Sequence, residues 1–205
     1  MNLHDDVASL LRPMVARERA HPDTKRDLGG VFFRDRIQAV ARLVSARTAG
    51  DLLEIGVYNG GTGVLLAEVA AASDRRYLGL DSFLPHPDYR HDEMEPIARE
   101  ALTPFGLTAE IVKIDAHSEE GVALVKSRPW CFALSDDGHR YEDHRCELWA
   151  LAEAMAGGGV VAVDDLYVPD VMLALNDFLR DHADWKLVNE TLGLREYYVV
   201  KEPKP

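Results

Sequence analysis

Apolar residues recur along this chain with two different spacings. In residues 5–20 they return every three or four positions, as on the buried face of an amphipathic helix. These positions are Val7, Leu10, Leu11 and Met14. Residues 21–30 are mostly polar and end in two glycines, which predicts a loop. A second helix follows and ends near residue 50. Its apolar positions are Phe33, Ile37, Val40 and Val44.

After residue 50 the apolar residues form short continuous runs, which predict buried β-strands. Five such runs lie at 52–57, 77–81, 109–115, 130–137 and 160–165. Helical segments separate them. The helix that starts near Glu142 carries Met155 on its apolar side, and we expect it to end at the glycines of residues 157–159. Two last runs, at 185–189 and 196–201, are predicted to pair as antiparallel strands.

Strands that alternate with helices predict a parallel sheet covered by helices on both faces. We therefore expect a doubly wound, mostly parallel α/β fold of seven strands, with the last strand antiparallel. The chain divides into a helical extension, residues 1–50, and an α/β domain, residues 51–205. Ligands of such sheets bind at the carboxyl ends of the strands, so the functional residues are expected there.

Composition narrows the function classes. The chain has 205 residues, of which 47% are hydrophobic and 28% charged, as in a globular protein. A net charge of −12 argues against a nucleic-acid partner or an anionic membrane. We find no apolar run of roughly 20 residues and no signal-peptide pattern. Cys131 and Cys146 have no CxxC partner, which disfavours a zinc knot or a disulfide scaffold. A cytoplasmic location is expected.

A glycine turn follows the first strand, in the sequence EIGVYNGGT of residues 54–62. Glycines there let the backbone approach a ligand closely before a helix begins. A P-loop would need a lysine after Gly61, and none is present. The dinucleotide fingerprint G-x-G-x-x-G also fits poorly, because three residues separate Gly56 from Gly60. The turn therefore favours neither a nucleoside triphosphate nor NAD.

Carboxylates follow the other strands. Asp81 ends the second strand, where it suits a grip on two ribose hydroxyls, and Asp115 ends the third. The fourth strand ends at Asp136-Asp137 and the fifth at Asp164-Asp165. The ends of these two strands should meet beside the first strand. Asp164 and Asp165 can face one ion only where the strand has ended and the chain turns, because adjacent strand residues point to opposite faces. Three carboxylates with waters and substrate oxygens would suit Mg²⁺ or Mn²⁺.

Two stretches carry a family resemblance. The spacing E-x-G-x-x-x-G-G from Glu54 resembles the first motif of class I S-adenosylmethionine-dependent methyltransferases, which have a Rossmann-like fold. A second stretch consists of SDDGHRYE, a predicted helix and then GGGVVAVDD. This order resembles the sequences of a metal-dependent O-methyltransferase subgroup. It includes the macrocin-type sugar O-methyltransferases and the cephalosporin-hydroxylase-like proteins, and more distantly catechol O-methyltransferase. The resemblance covers about residues 30–200. The related pattern D-G-D-H-S-Y-E differs at Asp137 and Gly138, so the first metal ligand is Asp136 or Asp137, and we favour Asp136.

The resemblance implies S-adenosylmethionine as cofactor and the domain at 51–205 as the catalytic one. The methionine part of the cofactor would be held by Glu54 and the backbone of the turn, and the adenine of the cofactor would lie near Asp115 and Ala116. The expected cofactor-binding residues are Glu54, Gly56, Tyr58, Asn59, Gly60, Gly61, Thr62, Asp81, Ser82, Asp115, Ala116 and Asp136. The expected metal ligands are Asp136, Asp164 and Asp165. Related enzymes are commonly homodimers or larger.

Histidines near these acids are candidate catalytic groups. With Asp136, we name His139 as a catalytic candidate, because a histidine can take a proton at neutral pH; alternatively it caps the next helix or bonds a backbone carbonyl. The polar loop of residues 82–95 contains His86 and His91. We expect these histidines either to face the acceptor or to lie on the surface. Phe83 packs on the adenine or under that loop. Three further residues of the next helix are interpreted as structural; they are Glu142, Asp143 and His144.

The sequence thus predicts an enzyme that moves a methyl group to a hydroxyl oxygen of a small molecule, such as a sugar, a natural product or a phenol. Mg²⁺ would position and acidify that hydroxyl. One alternative keeps the cofactor without the metal, as a metal-independent N- or O-methyltransferase. Another is a nucleotide-binding oxidoreductase or a non-catalytic module.

Overall fold

A computed structural model describes residues 2–20, 25–84, 93–188 and 196–203, with side chains in the second helix described from residue 32. Within these residues, seven strands form one sheet in the order β3-β2-β1-β4-β5-β7-β6. The strands are β1 Asp51–Ile55, β2 Tyr77–Asp81, β3 Ala109–Lys113, β4 Trp130–Ser135, β5 Met155–Val163, β6 Trp185–Leu187 and β7 Tyr197–Lys201. Strands β1 to β5 run parallel, and β7 is antiparallel to both β5 and β6. This confirms the predicted fold class and the predicted antiparallel pair.

Helices cover both faces of the sheet. They are α1 Leu3–Arg19, α2 Lys25–Ser45, α3 Gly61–Ala72, α4 Met94–Leu102, α5 Glu119–Val125, α6 Tyr141–Ala154 and α7 Pro169–Asp181, with a 3₁₀ helix at Thr103–Thr108. One buried cluster joins α1, α2 and α3 to Phe132 of the sheet. A second cluster joins α5, α6 and α7 to Trp130 on the other face. None of the described helices is both long and apolar enough to cross a membrane.

The first two helices share the core of the sheet. Val7 and Leu11 of α1 and Ile37 of α2 are fully buried in the same cluster as Phe132 of β4. Burying one such side chain stabilises the fold by about 1.5–3 kcal/mol. The helices therefore contribute to one core with the sheet, and the division of the chain at residue 50 stays a prediction.

Two predicted helix boundaries were wrong. The loop expected at 21–30 is helical from Lys25 onward, because α2 begins there. The helix expected to carry Met155 ends at Ala154, and Met155 is the first residue of β5, where it pairs with Trp130 and is buried. The glycines at 157–159 therefore lie inside a strand. Gly158 has a φ of 82°, and its carbonyl accepts a hydrogen bond from Oγ1 of Thr48 at 2.9 Å.

Four parallel strands end two residues earlier than predicted. The predicted ends were residues 57, 115, 137 and 165, and the observed ends are 55, 113, 135 and 163. The chain leaves the sheet at these points, with a φ of 92° at Gly56 and 56° at Asp165. As a consequence, the acids that were expected on strand ends lie in the turns just beyond them, at the carboxyl edge of the sheet.

Candidate functional site

The glycine turn connects β1 to α3 and packs against the segment that follows β4. A Cβ built on Gly56 would lie only 2.3 Å from the carbonyl oxygen of Asp136, so this position requires glycine. The N–H of Asp136 in turn donates to the carbonyl of Ile55 at 2.9 Å. The turn and the chain after β4 therefore form one continuous surface.

Asp81 holds the turn in shape. Its carboxylate is fully buried, and one oxygen accepts the N–H groups of Val57 at 2.9 Å and Tyr58 at 2.8 Å. The other oxygen accepts the N–H of Phe83 at 2.6 Å. Sequence reasoning missed this function, because the hydrogen bonds from Val57 and Tyr58 join segments more than 20 residues apart. The grip of Asp81 on the ribose hydroxyls stays a prediction.

Glu54 lies beneath the turn. It is 1% exposed, and the hydroxyl of Tyr77 donates a hydrogen bond to it. Burial raises the pKa of the Glu54 carboxyl to about 8, because the charged form loses its solvation. The carboxyl is therefore mostly protonated at neutral pH. The contact with the methionine part of the cofactor stays a prediction.

The remaining predicted cofactor residues lie along the same edge. Asp115 is exposed and accepts the N–H of His117 at 2.9 Å, whereas the adjacent Ala116 is buried. Ser82 is partly buried, and its hydroxyl accepts the N–H of Leu84 at 3.4 Å. Phe83 is buried in the cluster that includes Ala98 and Leu102 of α4, which supports packing in the core.

The paired acids of strands four and five come together. Carboxylate oxygens of Asp136, Asp164 and Asp165 all lie within 4.8 Å of one another. The N–H of Asp164 donates to the carbonyl of Ser135 at 3.1 Å, which fixes the ends of β4 and β5 side by side. The left-handed backbone at Asp165 provides the turn that lets two consecutive acids face the same point. We call Asp136, Asp164 and Asp165 the acid triad.

Asp137 belongs to a different cluster. It lies with His117 and Glu147, whose ligand atoms are within 4.8 Å of one another. Burial and the nearby charge of Glu147 raise the pKa of Asp137 to about 7. Burial disfavours a charged His117, but its hydrogen bond to Glu147, at 2.8 Å, raises its pKa to about 9. The geometry thus groups Asp136, and not Asp137, with Asp164 and Asp165.

The departure from the family pattern at Gly138 has a steric cause. A Cβ at this position would lie 2.4 Å from the Cβ of Asp143. Asp143 is held in place by Arg140, whose Nε and Nη2 donate to its two carboxylate oxygens at 2.9 and 2.7 Å. A second acid at position 138, as in the related pattern, would collide with this pair.

His139 lies beside the triad. Its Nε2 is 2.7 Å from Oδ2 of Asp165, and its side chain is 58% exposed. The N-cap of α6 is Arg140, so the alternative in which His139 caps that helix is wrong. His144 is buried with Nδ1 3.1 Å from Oγ of Ser135, in keeping with its structural interpretation. Glu142 and Asp143 lie in the first turn of α6, and the predicted His86 and His91 lie outside the described residues.

The triad's donor set fits Mg²⁺ or Mn²⁺. All three side chains offer oxygen atoms, which these ions prefer, and the two acids after β5 are buried. Three carboxylates at this spacing repel one another unless a cation or protons compensate their charge.

Comparison with known proteins places these features in a family. The sequence model of the macrocin O-methyltransferase (TylF) family matches residues 29–190. No curated protein sequence matches the chain. Among solved structures, the O-methyltransferase NovP superposes with a TM-score of 0.63 at 20% identity, covering 83% of this chain and 79% of that one.

Two further structures resemble it. TomG from Streptomyces achromogenes, an O-methyltransferase of tomaymycin synthesis solved with S-adenosylmethionine, has a TM-score of 0.62 at 16% identity, covering 83% of this chain and 80% of that one. CalS11, a TDP-rhamnose 3′-O-methyltransferase of calicheamicin biosynthesis, has a TM-score of 0.60 at 17% identity, covering 96% and 93%. These likenesses show the fold, and the family match spans most of the chain. The chain therefore belongs to the macrocin O-methyltransferase (TylF) family and is an O-methyltransferase.

Proposed function

We propose that this enzyme transfers the methyl group of S-adenosylmethionine to a hydroxyl oxygen of a small molecule, with Mg²⁺ positioning and acidifying that hydroxyl. The acid triad carries the proposal. Its three carboxylates converge within 4.8 Å. The backbone of Asp136 also packs directly on Gly56 of the glycine turn. A cation on the triad and a cofactor on the turn would thus be neighbours, as an in-line transfer requires.

The turn and the strand ends would bind the cofactor. Glu54 and the turn backbone would hold the methionine part, Asp81 the ribose hydroxyls, and the segment at Asp115 the adenine. The proposed contacts are Glu54, Gly56, Tyr58, Asn59, Gly60, Gly61, Thr62, Asp81, Ser82, Asp115, Ala116 and Asp136. No phosphate-binding lysine is needed, because this cofactor carries a sulfonium and an ammonium in place of phosphates.

His139 would take the proton of the acceptor hydroxyl. If its Nε2–H donates to Asp165, Nδ1 keeps the lone pair that a general base needs. Asp165 would then hold the ring in place while also serving the triad. Bound Mg²⁺ would supply Lewis acidity, which lowers the pKa of a hydroxyl that it contacts. Asp136, Asp164 and Asp165 would bind the ion, and methyl transfer would proceed without a covalent enzyme intermediate.

A sugar, a natural product or a phenol would each suit as the acceptor. TomG acts in tomaymycin synthesis and CalS11 is a TDP-rhamnose 3′-O-methyltransferase, and these similar folds support this range of acceptors. We further propose that the enzyme is cytoplasmic and has no nucleic-acid or membrane partner. It would act as a homodimer or larger assembly. The division into an extension, residues 1–50, and a catalytic domain, residues 51–205, is also part of it.

A metal-independent methyltransferase is the second candidate. The contact between His139 and Asp165 favours it, because a protonated histidine would partly neutralise the triad in place of an ion. Activity that survives EDTA and the substitution Asp165→Ala would support this candidate against the first.

Calorimetric titration with S-adenosylhomocysteine tests the cofactor assignment. We expect saturable binding to the purified protein, weakened by substitution of Asp81 to Ala. Absence of binding at millimolar ligand would contradict the proposed function.

A further inference from the structure

The guanidinium of Arg34 lies directly over the glycine turn. Arg34 belongs to α2, and a Cβ built on Gly61 would be 2.5 Å from its Nη2 and 2.7 Å from its Cζ. Gly61 is the first residue of α3. The guanidinium therefore touches the backbone at the start of that helix, and the absence of a side chain at position 61 makes room for it.

This is an unfavourable place for a cation alone. The N-terminus of a helix carries partial positive charge and N–H groups without partners in the helix. The first turn of α3 has no acidic residue, and Gly60 provides no side-chain cap. The side chain of Asn59 accepts the N–H of Gly61 at 3.1 Å, but it is uncharged. Two like charges, one full and one partial, thus face each other.

No described acid neutralises Arg34. Among residues 2–20, 25–84, 93–188 and 196–203, none forms an ion pair or hydrogen bond with its guanidinium. Glu54 lies within electrostatic range, but its carboxyl is buried and bonded to Tyr77. An anion from outside the described chain would resolve the imbalance.

Thr62 provides a second donor at the same spot. Its side chain is 9% exposed, and its hydroxyl makes no hydrogen bond to any residue that the structure describes. The hydroxyl oxygen is not one of the described buried atoms that lack a partner, so it reaches the surface, where a ligand could accept a hydrogen bond from it. Thr62 follows Gly61 in the first turn of α3. The same spot thus combines a guanidinium, a hydroxyl and helix N–H groups, which are all donors.

We propose that Arg34 binds the carboxylate of the cofactor's methionyl group, together with the hydroxyl of Thr62 and the first N–H groups of α3. This inference rests on the proposed function, which assigns the methionine part to the glycine turn. The carboxylate is the cofactor's only anionic group, and a guanidinium offers it two parallel N–H donors. Placed between Arg34 and the helix, it turns a repulsive contact into two attractive ones.

The inference predicts selectivity for the carboxylate. Calorimetry would compare S-adenosylmethionine with its decarboxylated analogue, S-adenosyl-3-methylthiopropylamine, which lacks only that group. We expect Arg34→Met to weaken binding of S-adenosylmethionine about 10- to 100-fold, the range for a lost hydrogen bond to a charged group. Binding of the analogue should be unchanged. Arg34→Lys keeps the charge without the paired donors, so it should lose less affinity for S-adenosylmethionine than Arg34→Met.

Arg42→Met is the matched control. Arg42 is another exposed arginine of α2, in its last turn, away from the glycine turn. This control should bind both ligands like the wild type, and thermal unfolding of each variant would show that the fold is intact. Equal losses on both ligands for Arg34→Met, or no loss on S-adenosylmethionine, would overturn the inference. A wild-type protein that binds neither ligand would instead contradict the proposed function itself.

Discussion

The substitution Arg36→Met should destabilise the whole fold, because it breaks a buried ion pair between the second helix and the end of the sheet. Arg36 is 2% exposed and Glu196 is fully buried. Nε and Nη2 of Arg36 donate to the two carboxylate oxygens of Glu196 at 2.5 and 3.1 Å. Its Nη1 also donates to Glu18 of α1 at 2.5 Å. One guanidinium thus joins α1, α2 and the start of β7.

The expected cost follows from this burial. Removing one partner of a buried pair costs about 3–5 kcal/mol, since the other charge stays in a poorly solvated site. At about 2–4 °C per kcal/mol for a chain of this size, the melting temperature should fall by about 6–20 °C. The double variant Arg36→Met with Glu196→Gln should recover part of the loss, because the stranded charge is then gone.

Thermal and chemical unfolding followed by circular dichroism would measure these effects. Arg47→Met is the matched control, because Arg47 also pairs with an acid of α1, Asp6, but its side chain is 39% exposed. The free energy of unfolding of this control should fall by less than about 1 kcal/mol. The reasoning would be refuted if Arg36→Met cost no more than Arg47→Met. A separate early transition for the first two helices would contradict the shared core.

Three further predictions concern the site. Asp136→Asn should abolish Mn²⁺ binding measured by electron paramagnetic resonance, whereas Asp137→Asn should retain it; the reverse result would move the ligand to Asp137. Glu54→Gln should remove a pH dependence of stability. With its folded pKa raised to about 8, Glu54 stabilises the fold fully below its unfolded value, and this stabilisation is lost as the pH rises through about 8. The free energy of unfolding in urea should therefore fall more between pH 5 and pH 8 for the wild type than for the variant. Equal falls would contradict this effect of Glu54. His139→Gln should lower kcat about 10²- to 10⁴-fold while leaving binding of S-adenosylhomocysteine unchanged; an unchanged kcat would exclude it as the base.

The predictable part of this protein was its alternation of strands and helices and the positions of its acids. Short continuous apolar runs such as 77–81 predict buried strands when helical segments separate them, and parallel strands bring their carboxyl ends to one edge. The convergence of Asp136 with Asp164 and Asp165 follows from that topology. The turn at Asp165 was predicted from the same reasoning, because consecutive acids cannot share a face within a strand.

The missed features all depend on contacts between distant segments. The hydrogen bonds from the turn to Asp81 have no local signature, and neither does the contact of Arg34 with Gly61. Met155 fits the helical spacing, yet it pairs with Trp130 because β5 begins before its glycines. In the sequence, Gly138 stands where the related pattern has an acid. It is explained by the side chain of Asp143, which occupies the space that a larger residue would need.

The most direct test of the central claim is a crystal structure of the protein with S-adenosylhomocysteine and Mn²⁺. The account predicts an anomalous peak for Mn²⁺ coordinated by Asp136, Asp164 and Asp165, with the sulfur of the cofactor facing it across the glycine turn. A peak at His117, Asp137 and Glu147, or a cofactor bound away from the turn, would contradict the account.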